Sequence, residues 1–390
     1  MLQNTLEVSV VKNLDFIESG VHICVVANQV VPNLAPILDR NLKAKRVVLV
    51  HTADFLQKAK DLASAYSNYQ VKTEFFKIQS AFDIVSLRKD MQRLFNFYAE
   101  QKPLINITGG TKIISLTMFE KAKEYELPVY YVNTDDSLSW LVPDVESVYH
   151  LEDRVKIKPF LTANGFEVVV NELPSSNKLL RQVLDDLIAN IDGYKEAISQ
   201  LNYYAYTASS SLKSVSLSEN VEGLRKLVGL FAETGLMKIE NNKLIFKDED
   251  ARFFANGGWL EEYLFHQIKQ LGSKIPKIQD NLCAVEVCKK TNSVKNEIDN
   301  MLLCNNNLYL IECKTKRFSK DQSPEGGVSS AIYKLDTLMR ELGGTFARGM
   351  IVSIFELSKA DYARAKQYNI KIVSLSELKD IKRHLTSWLS

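Results

Sequence analysis

Short apolar runs alternate with longer amphipathic segments near the start of the chain, and this alternation restricts the fold more than any other feature. The apolar runs have strand length and occupy residues 21–27, 46–51, 71–78, 104–107 and 129–133. Segments between them, such as 81–100, have the pattern of helices. Strands that alternate with helices form parallel sheets with helices on both faces. The sequence therefore predicts an α/β protein whose N-terminal part is a doubly wound parallel sheet.

Two loops at one edge of this predicted sheet carry groups suited to ligand binding. Ligands of doubly wound sheets bind beyond the carboxyl ends of the strands. The loop after the first strand offers amide side chains, and the loop after the fourth offers two glycines and a lysine at a predicted helix start. These residues are Asn28, Gln29 and Asn33 in the first loop and Thr108, Gly109, Gly110, Thr111 and Lys112 in the second. Backbone amides at a helix start attract an anion, which favours a phosphate-bearing ligand.

The glycine-containing loop matches neither of the common phosphate-binding motifs. A Walker loop needs a first glycine and a four-residue spacer that this chain lacks. A dinucleotide fingerprint would follow the first strand, whereas Gly109 and Gly110 follow the fourth. Taken alone, the loop is ordinarily a Gly-Gly turn before a helix capped by Thr111. Its place at the ligand edge favours a binding function.

A second informative stretch, residues 296–314, combines apolar strand residues with charged ones. Alternate side chains of a strand share a face, so Glu312 and Lys314 point the same way. The asparagines at 305–307 predict a hairpin turn, which would bring Asp299 of the neighbouring strand close to Glu312. Two carboxylates beside an ammonium suit Mg²⁺ or Mn²⁺, whereas Zn²⁺ prefers His and Cys ligands. Lys314 would orient or deprotonate a water, or stabilise a charged transition state, in phosphodiester hydrolysis.

The ordinary interpretation of Glu-x-Lys on a strand is a solvated ion pair across an open sheet. Two features favour a catalytic site. Apolar residues surround the charged pair, and charges in such a strand are costly to desolvate. A glycine break at Gly257 and Gly258 precedes a predicted helix, which brings Glu261 or Glu262 as a third carboxylate.

The segments "GGWLEEYLF", "NEIDNMLL" and "LYLIECKTK", in this order, resemble the PD-(D/E)XK nuclease superfamily. The resemblance implies a restriction-endonuclease-like α/β domain with a helix Glu, a strand Asp and a Glu-x-Lys pair around one or two Mn²⁺ or Mg²⁺ ions. The implied catalytic residues are Glu261, Asp299, Glu312 and Lys314, and the first three would be the metal ligands. Ile298 replaces the proline of the motif, and Glu262 or Glu297 would be able to exchange roles with its neighbour. Arg317, Lys320 and Lys334, in and before a helix opened by Gly326-Gly327, are candidate phosphate contacts.

The loops "VANQVVPNLAPIL" and "INITGGTK" resemble those of the CRISPR-associated Rossmann-fold sensor domain, abbreviated CARF. Such domains dimerise side by side and hold a cyclic oligoadenylate, usually the tetra-adenylate, across the twofold axis. The resemblance implies that the loop residues named above bind this ligand, together with Thr52.

Between these regions, residues 221–246 predict a helix, a turn at Gly235 and two short strands around Asn241 and Asn242, as in a winged helix. Basic residues are sparse there, which favours a connector over a nucleic-acid-binding module. The predicted domains are a Rossmann-like CARF domain at 1–172, a short helical or winged-helix-like connector at 173–250 and the PD-(D/E)XK domain at 251–390. The first 20 residues have no predicted role.

Composition is consistent with this organisation and narrows the remaining classes. The chain has 390 residues, 46% of them hydrophobic, which suits more than one domain with its own core. Its five cysteines and five histidines show no disulfide framework and no zinc-ligand spacing. Nothing approaches the roughly 20 apolar residues of a membrane span, and the N-terminus does not look like a signal peptide. We therefore expect a cytoplasmic protein without membrane partners.

Together the two motif sets resemble the CRISPR ancillary nucleases of type III CRISPR systems. The resemblance implies a homodimeric, divalent-metal-dependent endonuclease that is activated by cyclic tetra-adenylate. Its nucleic acid substrates would be single-stranded DNA, RNA or plasmid DNA that it nicks. Two alternatives stay open at this point: a sensor-regulated transcriptional protein with an inactive nuclease fold, and a ring nuclease that degrades the cyclic ligand.

Overall fold

The computed structural model describes residues 17, 19–144, 148–171, 177–290, 294–316 and 328–389. The chain forms two compact units, which are described separately. The first contains residues up to Glu167 together with 288–294, and the second contains 168–287 and 295–390. Arg317, Lys320, Gly326 and Gly327 lie outside the described residues, as do the first 16 positions.

The first unit is built on a sheet whose described strands have the order β3-β2-β1-β4-β5-β6-β7. These strands are β1 Val21–Val25, β2 Arg46–His51, β3 Lys72–Lys77, β4 Leu104–Asn106, β5 Val129–Val132, β6 Ser137–Val142 and β7 Tyr149–His150. The first five are parallel, as the sequence predicts. The antiparallel strands β6 and β7 extend one edge. The strand order reverses between β1 and β4, which is where ligands of such sheets bind.

Helices follow strands β1 to β4 of the first unit, and a fifth helix follows β7. Their apolar stripes cover the sheet. They are α1 Val31–Leu38, α2 Leu56–Ser67, α3 Ile84–Tyr98, α4 Lys112–Glu124 and α5 Ile157–Ala163. Side chains cap two of the helix starts: Asp83 accepts from the backbone of Val85, and Thr111 accepts from that of Ile114. Such caps satisfy amides that a helix leaves without partners. The apolar core lies between the sheet and α3 and α4.

The second unit begins with β8 and a helical region, followed by a small hairpin. These elements are β8 Phe166–Asn171, α6 Lys178–Ala189, α7 Ile191–Thr207, α8 Glu222–Leu230, β9 Met237–Glu240 and β10 Lys243–Phe246. Gly235 adopts φ +71° before β9, and Asn241 and Asn242 form the left-handed turn between the two strands. The helix, turn and two strands predicted for 221–246 are therefore present. Their buried residues share one hydrophobic core with the rest of the unit.

A second sheet organises the C-terminal part, with the described strand order β15-β14-β13-β12-β11-β8. The remaining elements are α9 Glu249–Phe253, α10 Trp259–Gly272, β11 Ile278–Lys289, β12 Lys295–Cys304, β13 Asn307–Lys314, α11 Val328–Gly343, β14 Arg348–Ser353, α12 Lys359–Gln367, β15 Ile370–Ser374 and α13 Ile381–Leu389. Strands β12 and β13 form the predicted antiparallel hairpin, whereas β13, β14 and β15 are parallel. The mixed α/β fold therefore agrees with the sequence expectation in both units.

The turn of the β12–β13 hairpin has two residues. Asn305 and Asn306 have φ +51° and +54°, which asparagine tolerates well, and Asn307 already belongs to β13. Gln279 of β11 fixes this turn: its Oε1 accepts from the backbone nitrogen of Asn306, and its Nε2 donates to Oδ1 of the same residue, both at 2.6 Å. The hairpin is therefore fixed to its neighbouring strand at the turn.

No helix in the described ranges has both the length and the apolar character needed to cross a membrane.

Candidate functional site

The hairpin register brings Asp299 and Glu312 together. In the hairpin ladder Asn300 lies opposite Ile311, and the same register one residue further places Asp299 opposite Glu312 on one face. The backbone nitrogen of Cys313 donates to Oδ2 of Asp299 at 2.5 Å, which fixes this carboxylate beside β13. Glu312 is buried, whereas Asp299 is half-buried. The structure thus pairs two carboxylates that the sequence places 13 positions apart.

Lys314 completes this group from the same strand. Its Nζ lies 2.5 Å from Oε1 of Glu312, and Nζ of Lys334 on α11 lies 3.8 Å from Oε2. Burial alone would lower the pKa of Lys314, but the charge and hydrogen bond of Glu312 outweigh it and raise that pKa. Lys314 is therefore an ammonium in this state. A charged lysine stabilises developing negative charge and does not act as a base.

Glu261 approaches the pair from the first turn of α10. Burial raises the pKa of Glu261 well above its usual range, and the charges of Asp299, Glu297 and Glu312 raise it further. Burial and the charge of Glu312 likewise raise the pKa of Asp299, against the opposing effects of the Cys313 amide and Lys314. Oε2 of Glu261 is buried without a hydrogen-bond partner. The three carboxyl groups therefore outnumber the two lysines beside them, Lys314 and Lys334.

We tested whether these side chains fit a divalent ion. In the part of the chain that the structure describes, no three His, Cys, Asp or Glu side chains converge tightly enough to hold a metal as they stand. Glu312 instead faces two lysines, and one oxygen of Asp299 accepts from a backbone amide. The unpartnered oxygen of Glu261 and the mutual repulsion of three carboxylates nevertheless match the demands of a hard cation. The chemistry of this donor set, three carboxyl groups, is of the kind that Mg²⁺ or Mn²⁺ prefers.

The two alternative carboxylates lie differently. Glu262 is largely buried, and its Oε1 lies 3.7 Å from Nε2 of His266, one turn further along α10. Glu297 is exposed, and its charge affects the pKa of Glu261. Glu261 is therefore the better placed of the two helix residues, because Glu262 already faces a histidine.

Sequence reasoning missed a buried contact that supports the end of β13. Asn202 of α7 donates from Nδ2 to the carbonyl of Thr315 at 2.8 Å and to its Oγ1 at 3.3 Å. Thr315 also contacts the kink before α10, since a Cβ on Gly257 would lie 2.6 Å from its Oγ1. Gly257 has φ +131°, a conformation that disfavours other residues. One threonine thus connects α7, the strand end that carries Lys314 and the start of the Glu261 helix.

At the ligand edge of the first unit, Asn106 and Asn33 hold the two loops together. Nδ2 of Asn33 donates to the carbonyl of Val25, and Nδ2 of Asn106 donates to the carbonyl of Pro32 and to Oδ1 of Asn33. Both asparagines are fully buried. Asn33 therefore supports the loop from inside and does not present its amide to a ligand in this conformation. Asn106 was missed, although a polar residue ending an otherwise apolar strand is a usable signal.

The two glycines allow the fourth-strand loop to approach β1 closely. A Cβ on Gly109 would lie 2.2 Å from the carbonyl oxygen of Val25, and Gly110 has φ +85°. Oγ1 of Thr111 donates to the carbonyl of Ala81 while it caps α4. The fold itself therefore favours glycine at positions 109 and 110 and threonine at position 111, independently of any bound ligand.

The remaining predicted ligand residues lie at the surface of this edge. Asn28, Gln29, Gly110 and Lys112 are exposed, and Thr52 and Thr108 are half-buried. Thr108 donates from Oγ1 to Asn106 and accepts from the backbone of Val132, so its hydroxyl is already engaged. The structure thus brings exposed amides and a lysine to the carboxyl ends of β1 and β4.

The fold and the carboxylate group indicate a class of protein in which a ligand-sensing domain is joined to a nuclease domain. Comparison with known proteins identifies the family of each domain. The family model of the Card1 CARF domain matches residues 21–160, and that of the Card1-like endonuclease domain matches residues 248–390. The chain therefore belongs to the proteins that join a Card1-type CARF domain to a Card1-like endonuclease domain. No curated protein matches its sequence.

Several solved structures share the fold. Protein VC1899 from Vibrio cholerae is 28% identical with a TM-score of 0.86, over 95% of this chain and 97% of that one. Can2 from Sulfobacillus thermosulfidooxidans, solved with cyclic tetra-adenylate, is 23% identical with a TM-score of 0.76, over 97% and 99%. A type III CRISPR defence DNA nuclease activated by cyclic oligoadenylate is 14% identical with a TM-score of 0.59, over 86% and 45%. The last two show the fold alone.

Proposed function

We propose that this protein is a divalent-metal-dependent endonuclease, activated by cyclic tetra-adenylate, that acts in type III CRISPR antiviral defence. Its proposed substrates are single-stranded DNA or RNA, or plasmid DNA that it nicks. The observation that carries the proposal is the partly buried group of Glu261, Asp299, Glu312 and Lys314. Like charges are costly to bury, and a group with an unpartnered carboxylate oxygen demands a cation.

The chemistry follows from the positions of these groups. A bound Mg²⁺ or Mn²⁺ would polarise the scissile phosphate and lower the pKa of a water. Asp299 and Glu312 would hold the ion from neighbouring strands, while Glu261 supplies a third carboxylate from α10. The Lys314 ammonium would stabilise the charge that grows on the phosphoryl oxygens while the water oxygen bonds to phosphorus and the P–O bond to the sugar breaks.

The activator would bind at the ligand edge of the CARF domain. Exposed Asn28 and Gln29 offer hydrogen bonds to nucleobase and ribose, and Lys112 at the start of α4 offers a charge to phosphate. Can2, which shares the fold, was solved with cyclic tetra-adenylate, which supports this ligand class. Binding can activate the nuclease only if the ligand binds the active arrangement more tightly than the inactive one.

Dimer formation is proposed through the CARF domain. Phe82, Ile84 and Val85 at the start of α3 and Leu116 on α4 are apolar and 45–72% exposed. The two helices are packed together and joined by the Arg88–Glu120 ion pair, so these side chains lie on neighbouring helices. Such a patch is suited to covering by a second copy of the chain.

A cleavage assay tests the proposal. Labelled single-stranded DNA, RNA and supercoiled plasmid would be incubated with Mn²⁺ or Mg²⁺, with and without cyclic tetra- or hexa-adenylate. We expect strong stimulation by the tetra-adenylate, no cleavage by Glu312→Ala, and weak stimulation of Lys112→Ala.

Unchanged cleavage by Glu312→Ala would refute the assigned centre. Lys112→Ala cleaving at the stimulated wild-type rate would refute the assigned ligand edge. Chromatography of the activator after incubation separates a ring nuclease, whose cyclic ligand would be converted to linear product.

A further inference from the structure

A cavity of about 440 Å³ lies in the second unit at the start of β14 and β15. The C-terminal end of α12 and the last turn of α13 complete its wall. Its lining residues are Arg348, Tyr362, Ala363, Ala365, Lys366, Asn369, Ile370, Lys371, Ile372 and Trp388. None of them has a role in the nuclease centre or at the ligand edge.

The charged residues that line this cavity are basic, although Glu356 and Glu377 lie near the hydroxyl of Tyr362 outside the lining. Three of its lining residues are basic, and no acidic side chain is among its described lining. The side chains of Arg348 and Lys366 are exposed and form no ion pair or hydrogen bond with any residue that the structure describes. Lys371 differs, because it is half-buried and donates from Nζ to the carbonyl of His384 at 2.7 Å. The charged groups of Arg348 and Lys366 are thus available to bind a ligand, whereas that of Lys371 is fixed. Three neighbouring positive charges attract an anion.

The floor of the cavity is apolar and aromatic. Trp388 packs edge-on against Tyr309 with ring centroids 4.8 Å apart, which fixes the indole. Tyr362 is 37% exposed and is oriented by a hydrogen bond of 2.8 Å between its hydroxyl and that of Ser374. Aromatic faces beside cations match a nucleotide, whose base stacks while its phosphate meets the positive charge.

This cavity is separate from the nuclease centre. Arg348 pairs with Tyr309, and Tyr309 precedes Glu312 by three positions in β13. Because this offset is odd, the side chains of Tyr309 and Glu312 lie on opposite faces of the sheet, roughly 10 Å apart along the strand. A ligand in the cavity therefore cannot be the phosphate that Glu312 and Lys314 would act on at the same time.

We propose that this cavity is a second nucleotide-binding site, in which Arg348 and Lys366 bind phosphate and the ring of Tyr362 or Trp388 contacts the base. The same chemistry has two sources, a free mononucleotide and one unit of a nucleic acid strand. The proposal does not rest on cleavage, since binding in the cavity needs neither a metal nor the activator.

Titration of tryptophan fluorescence tests it in EDTA, which removes divalent ions from the nuclease centre. The probes are thymidine monophosphate, which avoids the adenine preference expected of the CARF domain, and an eight-residue thymidine oligonucleotide. We expect saturable quenching that is absent in Trp388→Phe. The Arg348→Gln/Lys366→Gln double variant should bind at least about tenfold more weakly, because each lost contact is charge-assisted.

Lys359→Gln is the matched control, since Lys359 is an exposed lysine at the other end of the same helix α12. It should bind as wild type does. Tighter binding of the oligonucleotide than of the monophosphate identifies a strand as the natural ligand, and equal binding identifies a free nucleotide. Absence of saturable binding by wild type, or equal binding by the double variant, would overturn the site.

Discussion

The ligand edge of the CARF domain and the carboxylate group of the nuclease domain are built in opposite ways. At the ligand edge, the buried polar groups of Asn33, Asn106 and Thr108 are neutral and satisfy one another. In the nuclease domain, Glu261, Asp299 and Glu312 are acidic, and one of their oxygens has no partner. The polar groups of the ligand edge thus find their hydrogen-bond partners within the protein, whereas the carboxylate group leaves one oxygen without a partner.

This difference predicts opposite costs of substitution. Buried neutral groups that bond to one another contribute to stability, and replacing them leaves unsatisfied partners. Buried like charges reduce stability, and replacing one relieves repulsion. Variants of the ligand edge should therefore lose both folding and function, whereas variants of the carboxylates should lose function alone.

The largest effect is expected for Asp299→Asn. Asparagine keeps the shape and an acceptor for the Cys313 amide, but it removes charge from the predicted metal site. Cleavage should fall by about 10³-fold or more, because metal-held charge stabilisation is worth several kcal/mol. Thermal unfolding without metal should occur at the wild-type temperature or slightly above it. A large drop in that temperature would break the comparison.

The next effect concerns the ligand edge. In Gly109→Ala the new Cβ would lie 2.2 Å from the carbonyl of Val25, so the loop must move. We expect a loss of about 1–3 kcal/mol of stability and a tenfold or greater loss of activator affinity. Calorimetry with cyclic tetra-adenylate measures both.

Gly193→Ala provides its control, because a Cβ at Gly193 of α7 meets no atom within 4 Å. It should leave stability and activator binding as they are, or raise stability slightly. If Gly109→Ala behaved in the same way, the close approach of the two loops would be irrelevant to binding.

A smaller effect is expected for Asn202→Leu. The substitution keeps the branched shape of the side chain but leaves the buried carbonyl of Thr315 without its donor, next to Lys314. Cleavage kcat should fall about tenfold while KM for the nucleic acid is unchanged, because the geometry of the strand end is altered and the substrate surface is not. Gln200→Leu, on the same helix, loses only an exposed hydrogen bond and should behave as wild type.

The last effect is on stability and concerns the core of the first unit at the amino end of β1. Burial lowers the pKa of His22 from 6.5 to about 4, against the opposing effect of the Leu42 carbonyl. The unfolded chain therefore binds a proton between pH 6.5 and 4 that the folded chain does not, and stability falls as the pH falls through this window. His22→Gln should remove about 2 kcal/mol of that pH dependence. Chemical unfolding at pH 7 and pH 4.5 measures it, and parallel curves for the two proteins would contradict it.

Local pattern was sufficient to predict much of the fold. Apolar runs with helical spacers predicted the parallel strands β1 to β5. Consecutive asparagines predicted a hairpin turn at 305–307, and the structure has the turn at 305–306 with Asn307 in β13. The antiparallel strand β6 was not predicted, because short strands near a sheet edge carry a weak periodic signal. The roles of the predicted site residues stay predictions, although the structure brings Asp299, Glu312 and Lys314 together.

Contacts between distant parts of the sequence could not be predicted. Asn202 and Thr315 are 113 positions apart, and no local pattern marks either as part of one junction. Asn33 looked like a ligand residue because its neighbours are amides, yet its side chain is turned inward to Val25. The structure places Asn33 in α1 and not in a loop, and which face of that helix turns inward depends on tertiary packing that the neighbouring amides do not encode.

The hairpin of β12 and β13 also limits how this gene can change. Five residue pairs, from Asn300–Ile311 to Cys304–Asn307, separate Asp299 and Glu312 from the two-residue turn. One residue gained or lost within either arm would carry a carboxylate to the other side of the sheet. Substitutions can accumulate along the arms, but their lengths cannot drift independently. A related sequence with a gap in β12 or β13 alone therefore belongs to a protein that has lost this centre or has formed it from other residues.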